Sequence, residues 1–222
     1  MINYKSSGGS SGGDTGGGTT TPTTKGNAIL IGVAATGHDH STCFTEMITN
    51  LKACNLNNAI KYYGSFSVKS INSYLSSDST AVFFSRSHAQ DVRNSNGVLV
   101  GSELLLNDDS SNYIYYKSTQ ISSLKLSNLK LAVFVGCMTG IGGAGVNNLP
   151  SAAVKSGAKA AVGFRSSINC EKANKWSKEF TRYMKYGYTV GEACRVLSKD
   201  TEYKGSGLES CMFCGAESVT LK

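Results

Sequence analysis

Short apolar runs punctuate a polar chain. Ala28 to Ala34, Ala59 to Tyr63, Thr80 to Ser85, Leu131 to Val135 and Gly157 to Phe164 are mostly apolar. Leu131 to Val135 is also partly β-branched, the signature of a strand buried on both faces, as in a parallel sheet covered by helices. Between these runs the apolar residues recur every three or four positions. Phe44, Met47, Ile48, Leu51 and Cys54 mark one helix face. Val68, Ile71 and Leu75 mark a second, in a short helix over Ser67 to Leu75, and Ala173, Trp176, Phe180 and Tyr183 mark a third. Val190, Ala193, Cys194 and Leu197 mark another after the break at Gly187. Val146 to Ser156 also reads as helix, with Pro150 tolerated near its first turn. Asn96-Gly97 signals a hairpin, which Tyr113 to Tyr116 would extend, and Ala216 to Leu221 reads as a closing strand. Strands alternating with helices predict an α/β fold, a mostly parallel sheet with helices on both faces and right-handed crossovers.

Composition divides the chain. Met1 to Lys25 is largely Gly, Ser and Thr and buries too little apolar surface to fold. The expected organisation is a flexible tail over 1–26 and one domain over 27–222. Such a tether suits fusion to other domains. No apolar run is long enough to span a bilayer. No charged-then-apolar segment opens the chain, so no signal peptide is read, and the compartment stays open between cytoplasmic and secreted. The formal net charge of +7 is scattered over single lysines without interleaved aromatics, so no nucleic-acid partner is expected.

Seven cysteines are present. Cys43, Cys54 and Cys194 fall on helix faces and read as packing residues. Cys211-Met-Phe-Cys214 has C-x-x-C spacing, but no second such pair and only three histidines exist, so no metal site is expected. Cys137 differs: it follows the Leu131 run after the single residue Gly136 and precedes a glycine-rich turn. His88 lies just past the Thr80 run, 49 positions upstream of Cys137. Ligands of open α/β sheets sit beyond the carboxyl ends of the strands. A thiol and an imidazole delivered there suit nucleophilic catalysis.

Val82-Phe-Phe-Ser-Arg-Ser-His88 and Leu131-Ala-Val-Phe-Val-Gly-Cys137 resemble the strand ends of caspase-like (clan CD) cysteine peptidases. The resemblance covers about residues 27 to 221 and is nearest to CHAT, clostripain and metacaspase-type members. It implies a three-layer caspase-like sandwich, a peptide or protein substrate, no cofactor and an endopeptidase acting through a thioester. His88 and Cys137 would form the dyad, with the backbone N–H groups of Ala89 and Cys137 as oxyanion hole. Ala89 stands where the family usually has Gly, and its N–H still donates if φ is negative. Gly136 replaces the usual Ala. The Gln-Ala-Cys-x-Gly of true caspases is absent, so Asp-specific activity is not implied. The resemblance makes self-cleavage conceivable, and Lys117-Ser118, in a polar connection, is the expected place.

Substrate contacts are expected from the loops beyond the strands: Asp39 in the Thr36 to Thr42 loop, and Phe164, Arg165 and Ser166 after the Gly157 run. Asp39 follows the first strand, where basic-specific relatives place a carboxylate, which favours cleavage after Arg or Lys; the same position would let it cap the following helix. Two rivals stand beside this reading. One is a catalytically silent caspase-like interaction module. The other is dinucleotide binding, since Gly140-Ile-Gly-Gly-Ala-Gly145 spells G-x-G-x-x-G between a strand and a helix.

Overall fold

The apolar runs build a central sheet. In the computed structural model, which describes residues 25–34, 42–109 and 112–222, β1 (Asn27–Val33), β2 (Ala59–Gly64) and β3 (Thr80–Arg86) are its first strands. The chain then leaves the sheet for a separate antiparallel ribbon of β4 (Ala89–Arg93), β5 (Leu99–Asp109) and β6 (Asn112–Lys117). It returns as β7 (Leu131–Val135), β8 (Ala160–Phe164) and β9 (Cys211–Gly215). The sheet order is β2-β1-β3-β7-β8-β9, parallel except for β9. The tail expected over 1–26 lies outside the described residues except for Lys25 and Gly26.

Burial on both faces explains the composition of these strands. Every residue of β3, β7 and β8 is buried. Leu30, Phe84, Val133 and Val162 pack on one side with α1 (Phe44–Lys52), α5 (Cys170–Lys185) and α6 (Val190–Lys199). Ile31, Phe83, Phe134 and Ala161 pack on the other with α2 (Val68–Ser76), α3 (Ser118–Ile121), α4 (Leu149–Lys155) and the ribbon. The result is the expected three-layer α/β sandwich. The aromatic stripe of α5 is a stack: the Trp176 ring lies 5.0 Å from Phe180 at 12° and 5.0 Å from Phe164, edge on. Such pairs add about 1 kcal/mol each beyond area burial and fix α5 on the sheet.

Local details depart from the sequence expectations. The last strand is Cys211–Gly215, and Ala216 to Leu221 is irregular. Strand alternation places Cys211 and Cys214 on opposite faces, Cys211 toward α6 and Cys214 against Ser151 of α4 at 3.7 Å. The C-x-x-C spacing is therefore that of a strand, and the described residues hold no metal-binding group of three. The Asn96-Gly97 turn forms: Asn94 accepts from the N–H groups of Asn96 and Val98, and Gly97 sits at φ 75°. The Lys117-Ser118 bond is poorly placed for nicking, because Lys117 pairs with Glu103 in the ribbon and Ser118 is buried at the start of α3. No helix among the described residues is long and apolar enough to cross a membrane.

Candidate active site

β3 and β7 are neighbours in register, Arg86 opposite Val135, and both run to the same edge of the sheet. The residues that follow each strand therefore emerge side by side. The Ser87 N–H bonds the Val135 carbonyl at 3.2 Å, the Ser87 hydroxyl bonds the Leu105 carbonyl at 2.6 Å, and the Leu105 N–H bonds the His88 carbonyl at 2.9 Å. His88 is thus anchored through its backbone while its side chain is exposed. It shares a cleft of about 310 Å³ with Cys137, and Arg86, Ser87, Gly136 and residues 168–170 complete the wall.

Cys137 is half-buried, and the Ile168 N–H points at its Sγ at 3.4 Å, with the Ile168 carbonyl 3.9 Å away. The next residue, Met138, takes φ 57°, the one left-handed non-glycine backbone among the described residues. That conformation costs about 1 kcal/mol or more and turns the chain sharply after the thiol. Backbone bonds hold the turn, from Met138 N–H to Ser166 O at 3.0 Å and from Gly140 N–H to Phe164 O at 2.8 Å. Thr139 is wholly buried beneath it: its hydroxyl bonds the Phe134 carbonyl at 2.9 Å and accepts from the Phe164 N–H at 3.0 Å. The Ser102 hydroxyl of the ribbon donates to the Thr139 carbonyl at 2.7 Å.

Ala89 and Gly136 meet between the two strand ends. A Cβ on Gly136 would lie 2.9 Å from the Ala89 Cβ and 2.7 Å from the Ser87 carbonyl oxygen. The glycine is required here rather than merely tolerated, and there is room for a single methyl between the strands. Ala89 keeps a negative φ. It faces Leu104 as a non-hydrogen-bonded pair, so its N–H points away from β5.

Arg86 is the cleft's buried cation. Its Nη2 donates to Asn174 Oδ1 at 2.8 Å and to the Cys170 carbonyl at 3.2 Å, strapping the end of β3 to the first turn of α5. Burial pulls its pKa below the ordinary value, and the neighbouring thiols of Cys43, Cys170 and Cys137 partly offset that shift.

The expected substrate residues fare unevenly. Asp39 lies outside the described residues. Phe164 is fully buried against Trp176 and presents no side chain to the cleft. Arg165 is exposed, and the Ser166 hydroxyl bonds Ser210 at 2.8 Å and the Gly207 carbonyl at 3.3 Å. The wall comes instead from Ile168, Asn169 and Cys170, with Arg86 behind it.

The glycine loop is tied down by a side chain from the start of α4. The Asn148 side-chain amide donates to the carbonyls of Ile141 and Gly143 at 2.9 and 2.6 Å. The start of α4 is equally occupied: Leu149 N–H bonds Ser102 Oγ, Ser151 N–H bonds Asn148 Oδ1, and Pro150 has no N–H. At the start of α4 a pyrophosphate would find the N–H groups of Leu149 and Ser151 already used.

The CHAT domain family model matches residues 65–201, more than half of the chain. The chain belongs to the CHAT domain family. The fold of this CHAT domain is also that of gingipain R, described as an Arg-specific cysteine proteinase, at TM-score 0.63 and 12% identity over 89% of this chain and 48% of that one. The complex of the pro- and mature domains of RgpB from Porphyromonas gingivalis matches at TM-score 0.60 and 13% identity, over 89% of this chain and 49% of that one. The CHAT domain thus spans about half the length of those proteinase chains. Family and fold together place it in the caspase-like (clan CD) superfamily. No curated protein matches it by sequence.

Proposed function

We propose that this CHAT domain is a cysteine endopeptidase. The observation that carries the reading is the register of β3 on β7, which brings His88 and Cys137 to one cleft at the carboxyl edge of the sheet. Cys137 Sγ attacks the scissile carbonyl carbon while His88 takes the thiol proton. The N–H groups of Ala89 and Cys137 stabilise the oxyanion. The tetrahedral adduct collapses to a thioester, and His88 returns the proton to the leaving amine. Water, deprotonated by His88, then hydrolyses the thioester to the free acid and restores the thiol.

At P1 the reading is Arg or Lys, with Asp39 as the selecting carboxylate. Arg86, whose Nη2 is engaged by Asn174 and Cys170, serves the packing of α5. Gingipain R, similar in fold, is described as Arg-specific, which agrees with the choice.

The test is turnover of a peptide library differing at P1, using wild type, Cys137→Ala and Asp39→Ala. The reading expects no turnover by Cys137→Ala. It expects at least a tenfold loss of kcat/KM on Arg substrates for Asp39→Ala, about 1.4 kcal/mol. Wild-type turnover that survives Cys137→Ala overturns the nucleophile. A wild-type preference for Asp, Asn or small apolar residues overturns the P1 assignment alone. A folded wild type that cleaves nothing and leaves Cys137 unlabelled by peptidyl electrophiles points to the silent interaction module.

A further inference from the structure

We propose that the amino edge of the sheet, opposite the Cys137 cleft, carries a binding site for a multivalent phosphate anion. A cavity of about 350 Å³ opens there, and Lys25, Lys130 and Lys159 line it together with Asp78, Thr80 and Asn128. The topology explains the cluster. β1, β3, β7 and β8 are consecutive in the sheet, and Lys25, Lys130 and Lys159 stand just before β1, β7 and β8. Lys130 and Lys159 lie one step outside the registered pair Leu131 and Ala160. Neighbouring strands are about 4.8 Å apart, so these two ammonium stems start side by side.

Their backbones are held firmly. Lys130 donates to Ala81 O at 2.8 Å and accepts from Ala160 N–H at 3.0 Å. Lys159 donates to Leu129 O at 2.9 Å and accepts from Ala216 N–H at 2.8 Å. Gly26, next to Lys25, is packed on Ala81 so tightly that a Cβ would come within 2.5 Å of the Ala81 Cβ. Two stems are therefore fixed around one hollow, and Lys25, next to the packed Gly26, joins them.

The charges do not balance internally. Among the described residues, no carboxylate lies within 4.0 Å of any of these three ammonium groups, whereas Lys175 and Lys178 both have partners. The one acid lining the cavity, Asp78, accepts from the Asn128 side-chain amide at 2.7 Å. Like charges placed side by side on adjacent strands repel. A multivalent anion between them converts that repulsion to attraction, and lysine serves well as a point-charge phosphate ligand. The hollow is compact, which suits a short phosphate chain rather than an extended acidic peptide, and Asn128 and Thr80 are among its neutral lining residues.

Isothermal titration of the full chain with inorganic tripolyphosphate, and separately with ATP, at about 0.15 M salt tests the site. The expected result is a dissociation constant below about 1 mM for both. Lys130→Gln with Lys159→Gln should weaken binding at least tenfold, whereas Lys61→Gln, an equal charge change at an exposed position of β2 outside the cavity, should alter it less than twofold. All these lysines are exposed, so the variants keep their fold. Three results would overturn the proposal: no saturable binding of tripolyphosphate, equal weakening by Lys61→Gln, or binding of ATP alone, which would mean recognition of the nucleoside.

Discussion

Gly136→Ala is the most informative single substitution, because it tests whether one methyl's worth of space separates the two strand ends that carry His88 and Cys137, the proposed dyad. The added Cβ would stand 2.7 Å from the Ser87 carbonyl oxygen, 2.9 Å from the Ala89 Cβ and 3.3 Å from the Thr139 Cγ2. Carbon atoms prefer about 3.5–4.0 Å, so the methyl overlaps two neighbours by more than half an ångström. Overpacking of that kind costs about 1–3 kcal/mol. Replacing glycine recovers roughly 0.4–1 kcal/mol through the unfolded chain. The net expectation is destabilisation by about 1–2 kcal/mol, read as a lower midpoint in urea at unchanged slope. Relief by a few tenths of an ångström would part His88 from Cys137. A full ångström costs about a hundredfold in rate, so kcat/KM should fall about tenfold. Ala89→Gly removes one of the two tight contacts and leaves the Ser87 carbonyl in place. Adding it to Gly136→Ala should recover part of the loss, with a coupling energy of about 1 kcal/mol. Equal cost of Gly136→Ala in both backgrounds, within about 0.3 kcal/mol, would refute the contact.

Three further expectations concern the same scaffold. Met138 sits at φ 57°, so Met138→Gly should leave thermal stability equal or higher, while β-branched Met138→Val should lower it by about 1–2 kcal/mol. Thr139→Val keeps the shape but strands the buried Phe164 N–H, so chemical denaturation should show a loss of about 2 kcal/mol, which Thr139→Ser largely avoids. Burial pushes the Cys54 thiol from its ordinary 9.0 up to about 11, so the unfolded chain ionises first; stability is fully present below pH 9 and falls as pH rises toward 11, and Cys54→Ala should flatten that alkaline decline in a pH series of denaturation curves.

The parts of the fold legible in the sequence are those governed by burial alone. β3, β7 and β8 are covered on both faces, and their apolar runs announce them. β9 is harder to read, because the alternation in Cys211-Met-Phe-Cys-Gly215 is also the spacing of a thiol motif. β4 is an edge strand of Ala-Gln-Asp-Val-Arg, half exposed, with no apolar run to mark it. At the site, Cys137 and His88 are readable because their chemistry resides in the side chain and their position follows directly from the strand ends. The wall around them is not. Ile168 contributes its backbone N–H and carbonyl, which no residue type encodes. Arg86 is a charged residue at the end of an apolar run, and nothing in that run announces that its guanidinium reaches Asn174. Ala89 and Gly136 read as two separate departures from a family pattern, and only the register of β3 on β7 brings them into contact.

The ribbon inserted between β3 and β7 bears on how quickly these strands can find each other. Pairing them requires closing the whole stretch from Arg86 to Leu131, a long search for a flexible chain. The ribbon is made of two hairpins whose contacts are local in sequence, Ala89 to Leu104 and Glu103 to Lys117. Hairpins form in about 1–10 μs, well ahead of slow sheet assembly. Once zipped, they bring Ser87 and the start of α3 close together, and the effective loop shrinks several-fold, worth about 1 kcal/mol in closure entropy. The ribbon is thereby suited to act as a folding tether, with local order able to bring His88 and Cys137 toward their non-local meeting.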